Sequence, residues 1–250
     1  MALQQSINEI EGTIRNLTYY RRGNKFFLRA KSSMTKEKYY ANERMLRPKL
    51  NNNEFGYAAR SCKTIRHAIN ELLCQSTDTN MIARLNATLL KVVKTDTIND
   101  VGERKIEKGN LSLLKGFNMN LDSSLDNIFP VQYQSSINRN KGSLLLNVAP
   151  FDISQTIRLN PFSNYFRIRT ACIEVDFNLQ TAKADIIDSE FIPCNQTTAR
   201  FNHQHTFSKQ SGLPLILFMS VEFYQQTNGE LVMLKNREFN PRTIIDTSLP

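Results

Sequence analysis

Apolar positions follow two regimes along the chain, helical spacing up to about residue 125 and alternation after it. Residues 1–11 set Leu3, Ile7 and Ile10 in a polar context that suits a loop or an edge strand. Between Gly12 and Ser32, two aromatic-rich runs, Thr13–Tyr20 and Lys25–Ala30, flank an Arg22-Gly23-Asn24 corner. This predicts a β-hairpin, because Gly23 takes positive φ without steric cost and Asn24 tolerates it. Ser32, Ser33 and Thr35 offer N-caps for a short helix over Lys36–Leu46 that stops before Pro48. The clearest helix runs over Glu54–Gln75, capped by Asn53. Its stripe is Phe55, Ala58, Ala59, Cys62, Ile65, Ala68, Ile69, Leu72 and Leu73. A second helix, Thr79–Lys94, carries Met81, Ile82, Leu85, Leu89, Val92 and Val93, with Asp78 or Thr77 as cap. The short Ser76-Thr77-Asp78 connection predicts an antiparallel helical pair.

Residues 95–110 read as a polar connector, and Leu111–Phe117 closes the helical part. The polar gap Asp122–Asp126 marks a domain boundary. From Phe129 the period becomes two. Strands are expected over Val131–Ile137, Ser143–Val148, Tyr165–Leu179, Lys183–Phe191, Leu213–Tyr224, Glu230–Leu234 and Arg242–Asp246, with an Asn228-Gly229 hairpin corner and a polar loop over Gln196–Gly212. Within Tyr165–Leu179 the apolar positions switch from even (Phe166, Ile168, Cys172) to odd (Ile173, Val175, Phe177), which predicts a β-bulge near Ala171. The fold class is therefore α+β. An N-terminal β-hairpin with an antiparallel helix pair (1–125) precedes a C-terminal antiparallel β-sandwich of Ig-like type (126–250).

Composition adds exclusions. The chain has 250 residues, 40% hydrophobic and 22% charged, so packed cores are expected. No apolar run reaches a membrane-spanning length, the longest being Leu213–Val221, broken by Pro214 and Ser220. The start, MALQQSINEIEG, lacks the basic and apolar regions of a secretory signal, so a cytoplasmic protein is expected. Cys62, Cys74, Cys172 and Cys194 form no C-x-x-C pair and read as buried thiols. The net charge of +9 is uneven. Residues 1–128 hold 21 Lys and Arg against 13 Asp and Glu, whereas residues 129–250 hold 11 against 10. A basic half points to an acidic partner.

Candidate chemistry is sparse. His203-Gln204-His205 would set two imidazoles on one face of a strand as half of a metal site; in a polar loop it is an exposed pair. His67 sits on a helix flank. Asp185, Asp188 and Glu190 form an acidic cluster suited to acid–base work or a cation, or to a solvated strand face. No phosphate-binding glycine loop and no nucleophile elbow occurs, and no cofactor is called for. The hairpin stands out. Arg15, Arg21, Arg22, Lys25, Arg29 and Lys31 surround Tyr19, Tyr20, Phe26 and Phe27. Cations can meet phosphates while rings stack on bases, with Arg60, Lys63 and Arg66 extending the patch. Alternatively the aromatics pack on the helices and the cations guard an edge. A third role is assembly, through a sheet edge or an apolar face meeting another copy.

Several motifs occur in order: G-T-I-x-x-L-T-Y-Y (Gly12–Tyr20), L-R-A-K (Leu28–Lys31), E-F-G-x-A (Glu54–Ala58), M-I-x-R-L (Met81–Leu85), G-E-R (Gly102–Arg104), L-L-K-G-F (Leu113–Phe117) and V-E-F-Y-Q-x-x-N-G (Val221–Gly229). Together they resemble an uncharacterised family of two-part proteins from Bacteroidetes bacteria, over nearly the whole chain. Arg15-Asn16 stands where that family usually has a Gly-rich start to the hairpin. The resemblance implies a bacterial, non-secreted protein and brings no activity, so no site residue is carried over from it. The leading expectation is a non-enzymatic structural protein that self-associates into a ring, tube or filament, with other copies of itself as partner. The alternative is a nucleic-acid-binding protein, or one that docks on an acidic protein surface, through the basic hairpin. A metal-dependent enzyme around His203 and His205 is the third reading.

Overall fold

In the computed structural model the chain is described over residues 2–4, 10–73, 78–196 and 198–250. It divides into two compact units, Met1–Lys49 and Leu50–Pro250, and the boundary expected at 125/126 falls inside the second. Ile7, Cys74, the helix end at Gln75 and the Ser76-Thr77 connection with its Thr77 cap lie outside the described residues.

The first unit holds a four-stranded antiparallel sheet. Its strands are β1 (Ala2–Leu3), β2 (Gly12–Ile14), β3 (Leu17–Arg22) and β4 (Lys25–Ala30), in the order β1-β4-β3-β2. The β3–β4 hairpin turns at Gly23-Asn24 with Gly23 at φ 61°. The run expected as one strand over Thr13–Tyr20 is instead two strands, because the chain turns at Arg15-Asn16, with Arg15 at φ 53°. A short helix α1 (Lys36–Ala41) follows, capped by the Thr35 hydroxyl, which accepts the Lys38 N–H at 3.3 Å. Helix α2 (Leu46–Ala68) begins before Pro48 rather than after it. Proline in a first helical turn lacks only an N–H that has no helical partner there. Asn53, expected as a cap, is therefore helix interior.

In the second unit, α2 continues to Ala68 and is followed by α3 (Asn70–Leu73) and α4 (Met81–Lys94). The buried stripe of α2 is Glu54, Tyr57, Ala58, Ser61, Cys62, Thr64 and Ile65, so Phe55 lies outside it at 53% exposure. Glu54 turns inward because its carboxylate accepts the Gly102 N–H at 2.8 Å and lies 3.8 Å from the Arg104 guanidinium. On α4, Met81, Leu85, Leu89, Val92 and Val93 are buried, and Ile82 is half exposed. In the connector, Asp96 is buried and accepts N–H groups from Ile98, Asn99 and Lys105 and the Asn99 side-chain amide. Burial opposes its ionisation, but these donors win and hold the carboxyl down to about 2.

After α5 (Leu125–Ile128) come two antiparallel sheets. The smaller contains β5 (Tyr133–Asn138) and β6 (Ser143–Asp152); a helical turn α6 (Ile153–Thr156) leads to the larger. The larger contains β7 (Tyr165–Asp176), β8 (Thr181–Asp188) and the short β9 (Ile192–Pro193). The chain returns to the smaller sheet as β10 (Thr198–Thr206), then supplies β11 (Leu215–Thr227), β12 (Glu230–Met233) and β13 (Arg242–Ser248) to the larger. Beside β11, β13 covers one half of its free edge and β12 the other. The β11–β12 corner is Asn228-Gly229 with φ of 53° and 85°, both positive as a type I′ turn requires.

No bulge interrupts β7. Its pairing with β11 runs unbroken from Tyr165 to Glu174, and its pairing with β8 from Arg169 to Asp176. The switch of apolar positions has another cause. Even residues Phe166, Ile168 and Cys172 share a core with Leu144, Leu146, Leu217 and Val221 of the two sheets. Odd residues Ala171, Ile173, Val175 and Phe177 share a second core with Cys62, Ile65, Leu85 and Leu89 of α2 and α4. From Phe166 to Glu174, the even face of β7 is apolar except at the buried Thr170 and Glu174, which have polar partners. The other is apolar only where helices cover it, and polar at Arg167 and Arg169. Among the described residues, no helix is long and apolar enough to cross a membrane.

Candidate functional site

The ten residues singled out in the hairpin do not form one surface. Direct cross-strand partners share a face. Tyr20, Arg22, Lys25, Phe27 and Arg29 lie on one face of the sheet, with Thr18. Tyr19, Arg21 and Phe26 lie on the other, with Leu17, Leu28 and Ile14. Arg15 sits in the β2–β3 turn and Lys31 just beyond β4. On the first face Tyr20 and Phe27 stack at 5.7 Å between ring centroids, and the Arg29 guanidinium lies 5.5 Å from the Tyr20 ring. On the second, Arg21 folds back: its Nε–H donates to the Gly23 carbonyl at 2.8 Å, and its guanidinium lies 5.6 Å from the Phe26 ring. No described residue of 2–49 is buried; Ile14 is 55% exposed and Leu17 39%. Residues 1–49 hold eleven Lys and Arg against four Asp and Glu, whereas residues 50–250 hold 21 against 19. The positive excess is thus concentrated in the small sheet and its helix.

His203 and His205 are not an exposed loop pair. The polar run expected as a loop over Gln196–Gly212 is largely β10, and both imidazoles point into the protein, at 5% and 0% exposure. They share one hydroxyl: Thr170 Oγ1 lies 2.7 Å from His203 Nδ1 and 2.8 Å from His205 Nε2. Asp185 stands 3.4 Å from His205 Nδ1 and also accepts the Thr206 N–H at 2.7 Å. Burial, then the neighbouring His205, holds His203 down to about 4; burial also lowers His205 against the pull of Asp185. Both rings are neutral at pH 7. Among the described residues, no group of three or more His, Cys, Asp or Glu is placed to hold a metal ion. Asp185, His205 and Thr170 have the residue types of a nucleophilic triad, but the Thr170 hydroxyl is fully buried between two imidazoles and meets no solvent.

The acidic cluster is also divided, since residues three apart on a strand face opposite ways. Asp185 faces His205, whereas Asp188 faces outward and binds Arg169 Nε at 2.7 Å and Arg167 Nη1 at 3.1 Å. Glu222, 2% exposed, accepts from Arg167 Nη2 at 3.0 Å and from the Tyr224 hydroxyl at 2.7 Å. This network occupies the polar part of the outer face, and sequence reading missed it. Its signal was present as two polar residues at alternate positions in each of two apolar strands, Arg167/Arg169 and Glu222/Tyr224. Every carboxylate in it faces a guanidinium, so its charges are paired, although Arg167 Nε is buried without a hydrogen-bond partner.

Comparison with protein-family models, with curated proteins and with solved structures finds no match to the chain. The thiols add no chemistry. Burial raises Cys62 and Cys194 and pushes Cys172 up to about 12, so all three are protonated at pH 7.

Proposed function

We propose that the protein is a non-enzymatic structural protein that self-associates into a larger homomeric assembly through the sheet of residues 1–49. The observation that carries this reading is the face formed by Ile14, Leu17, Tyr19, Phe26 and Leu28, apolar except for Arg21, which folds over Phe26, and without a buried residue. A sheet with one apolar face needs that face covered to be stable. A second copy supplies a matching apolar face and leaves the face that carries Arg22, Lys25 and Arg29 outward, so these cations do not oppose contact. Pairing the same apolar face on two copies is isologous and closes a dimer; a second contact, at the sheet edges β1 and β2, joins dimers into a ring, tube or filament. In this reading the protein works in a bacterial cytoplasm and needs no cofactor. The two sheets of the second unit are read as an Ig-like sandwich, with α2 and α4 as an antiparallel pair on its outer face.

Size-exclusion chromatography with light scattering tests the proposal. The full chain elutes above the monomer mass of 28.8 kDa, and Leu17→Asp with Leu28→Asp returns it to that mass. A monomer before substitution overturns the reading.

One observation favours a second reading, nucleic-acid binding. The Tyr20–Phe27 stack is flanked on its own face by Arg22, Lys25 and Arg29, the composition of a single-strand stacking platform. Single-stranded DNA then binds with an affinity that falls with salt, and removing the three cations lowers both affinity and salt slope.

A further inference from the structure

A cleft of about 810 Å³ opens beside β8 and β10, lined among others by Asp188, Glu190, Phe191, Arg200, Asn202 and His203. Its size falls within the range of roughly 300–1,000 Å³ usual for small-molecule sites. The hydrogen-bond chain behind it fixes what its floor presents. His205 Nδ1 makes no hydrogen bond, but the Asp185 carboxylate 3.4 Å away attracts an N–H and repels a lone pair, which favours the proton on Nδ1. His205 Nε2 is then a lone pair and takes the Thr170 hydroxyl proton. The Thr170 oxygen in turn accepts from His203 Nδ1–H. This leaves His203 Nε2 without a proton. His203 lines the cleft, and no described residue makes a hydrogen bond to its Nε2.

We propose that this cleft binds a neutral, polyhydroxylated ligand of the saccharide class, with His203 Nε2 accepting a hydrogen bond from a ligand hydroxyl. The remaining lining agrees. Asp188 is already held by Arg167 and Arg169, and Glu190 and Arg200 oppose each other in charge, so no net charge calls for an ionic ligand. Phe191, 40% exposed, lines the cleft with Tyr224 edge-on at 4.9 Å and the Arg167 guanidinium 5.1 Å from its ring, and its remaining exposed surface is what sugar C–H groups would meet. Thr170, His205 and Asp185 are positioning residues: they touch no ligand and set the tautomer of His203. The site lies in the second unit and does not depend on the assembly reading.

The test is long-range proton–nitrogen NMR on the full chain with labelled histidine. The expected spectrum has His203 and His205 both protonated on Nδ1. D-glucose, N-acetyl-D-glucosamine and myo-inositol are then titrated, and at least one moves the His203 Nε2 signal saturably. His203→Phe, whose binding is followed by isothermal titration calorimetry, weakens that probe by about five- to tenfold. Thr170→Val releases His203 from the Nδ1–H form; should that variant fail to fold, Asp185→Asn releases His205 and is read in the same signals. A wild-type His203 protonated on Nε2 overturns the tautomer chain. Silence from all three probes, or tighter binding of glucosamine or glucose 6-phosphate, overturns the ligand class.

Discussion

The two units solve opposite problems with the same β-strand. In residues 50–250 the central strands β7 and β11 are covered on one face throughout and on the other over half their length, and Phe166, Phe218 and Phe223 are fully buried. In residues 1–49 four strands pair in full register, yet no described residue is buried and the charge is strongly positive. Burial is what gives a domain its own stability. A sheet that keeps its aromatics at the surface gains little stability from its own burial, and the assembly proposal rests on this difference.

Substitutions can sharpen that contrast. The largest expected effect is Phe218→Ala, which opens a cavity between sheet and helices and lowers unfolding free energy by about 3–5 kcal/mol in urea titration. Acidification comes next. The unfolded imidazoles titrate near 6.5, whereas folded His203 is held down to about 4. Between those values the unfolded chain binds the proton that the folded chain refuses. Stability is therefore full above about pH 6.5 and falls as pH drops through the window, by roughly 3 kcal/mol at pH 4. His203→Gln flattens that slope. A pH-independent unfolding midpoint in the wild type would contradict the buried neutral pair.

A smaller effect is expected at Asp96. Asp96→Asn removes the charge that gathers four donors and costs about 2 kcal/mol. Because folding holds this carboxyl down to about 2, its contribution is complete above about pH 4 and fades as pH falls toward 2. The smallest effect is expected in the first unit: Phe27→Ala changes urea stability by less than about 1 kcal/mol, since the ring is never fully buried. A loss as large as that of Phe218→Ala would break the contrast.

Much of this architecture was legible in the residues. Gly23-Asn24 and Asn228-Gly229 marked their hairpins because only a few residue types accept positive φ, and the α4 stripe showed its buried side except at Ile82. Three features were not legible, each because a long-range partner decides it. Pro48 reads as a stop, although in the first turn of a helix it costs nothing. The shift near Ala171 reads as a bulge until helices are known to cover the other face. Phe201, His203 and His205 alternate as an inward strand face, but two of the three count as polar until Thr170 and Asp185 supply their partners. The candidate site was legible in composition and not in geometry. Ten hairpin residues were recognised together, and only pairing shows that five share the basic face and three the apolar one.

The most direct measurement is the solution mass of the full chain by light scattering, wild type beside Leu17→Asp/Leu28→Asp and beside Arg22→Ala/Lys25→Ala/Arg29→Ala. The account expects a mass well above 28.8 kDa for the wild type and the triple basic-face variant, and the monomer for the apolar-face variant. A wild-type monomer, or loss of assembly in the basic-face variant alone, would contradict it.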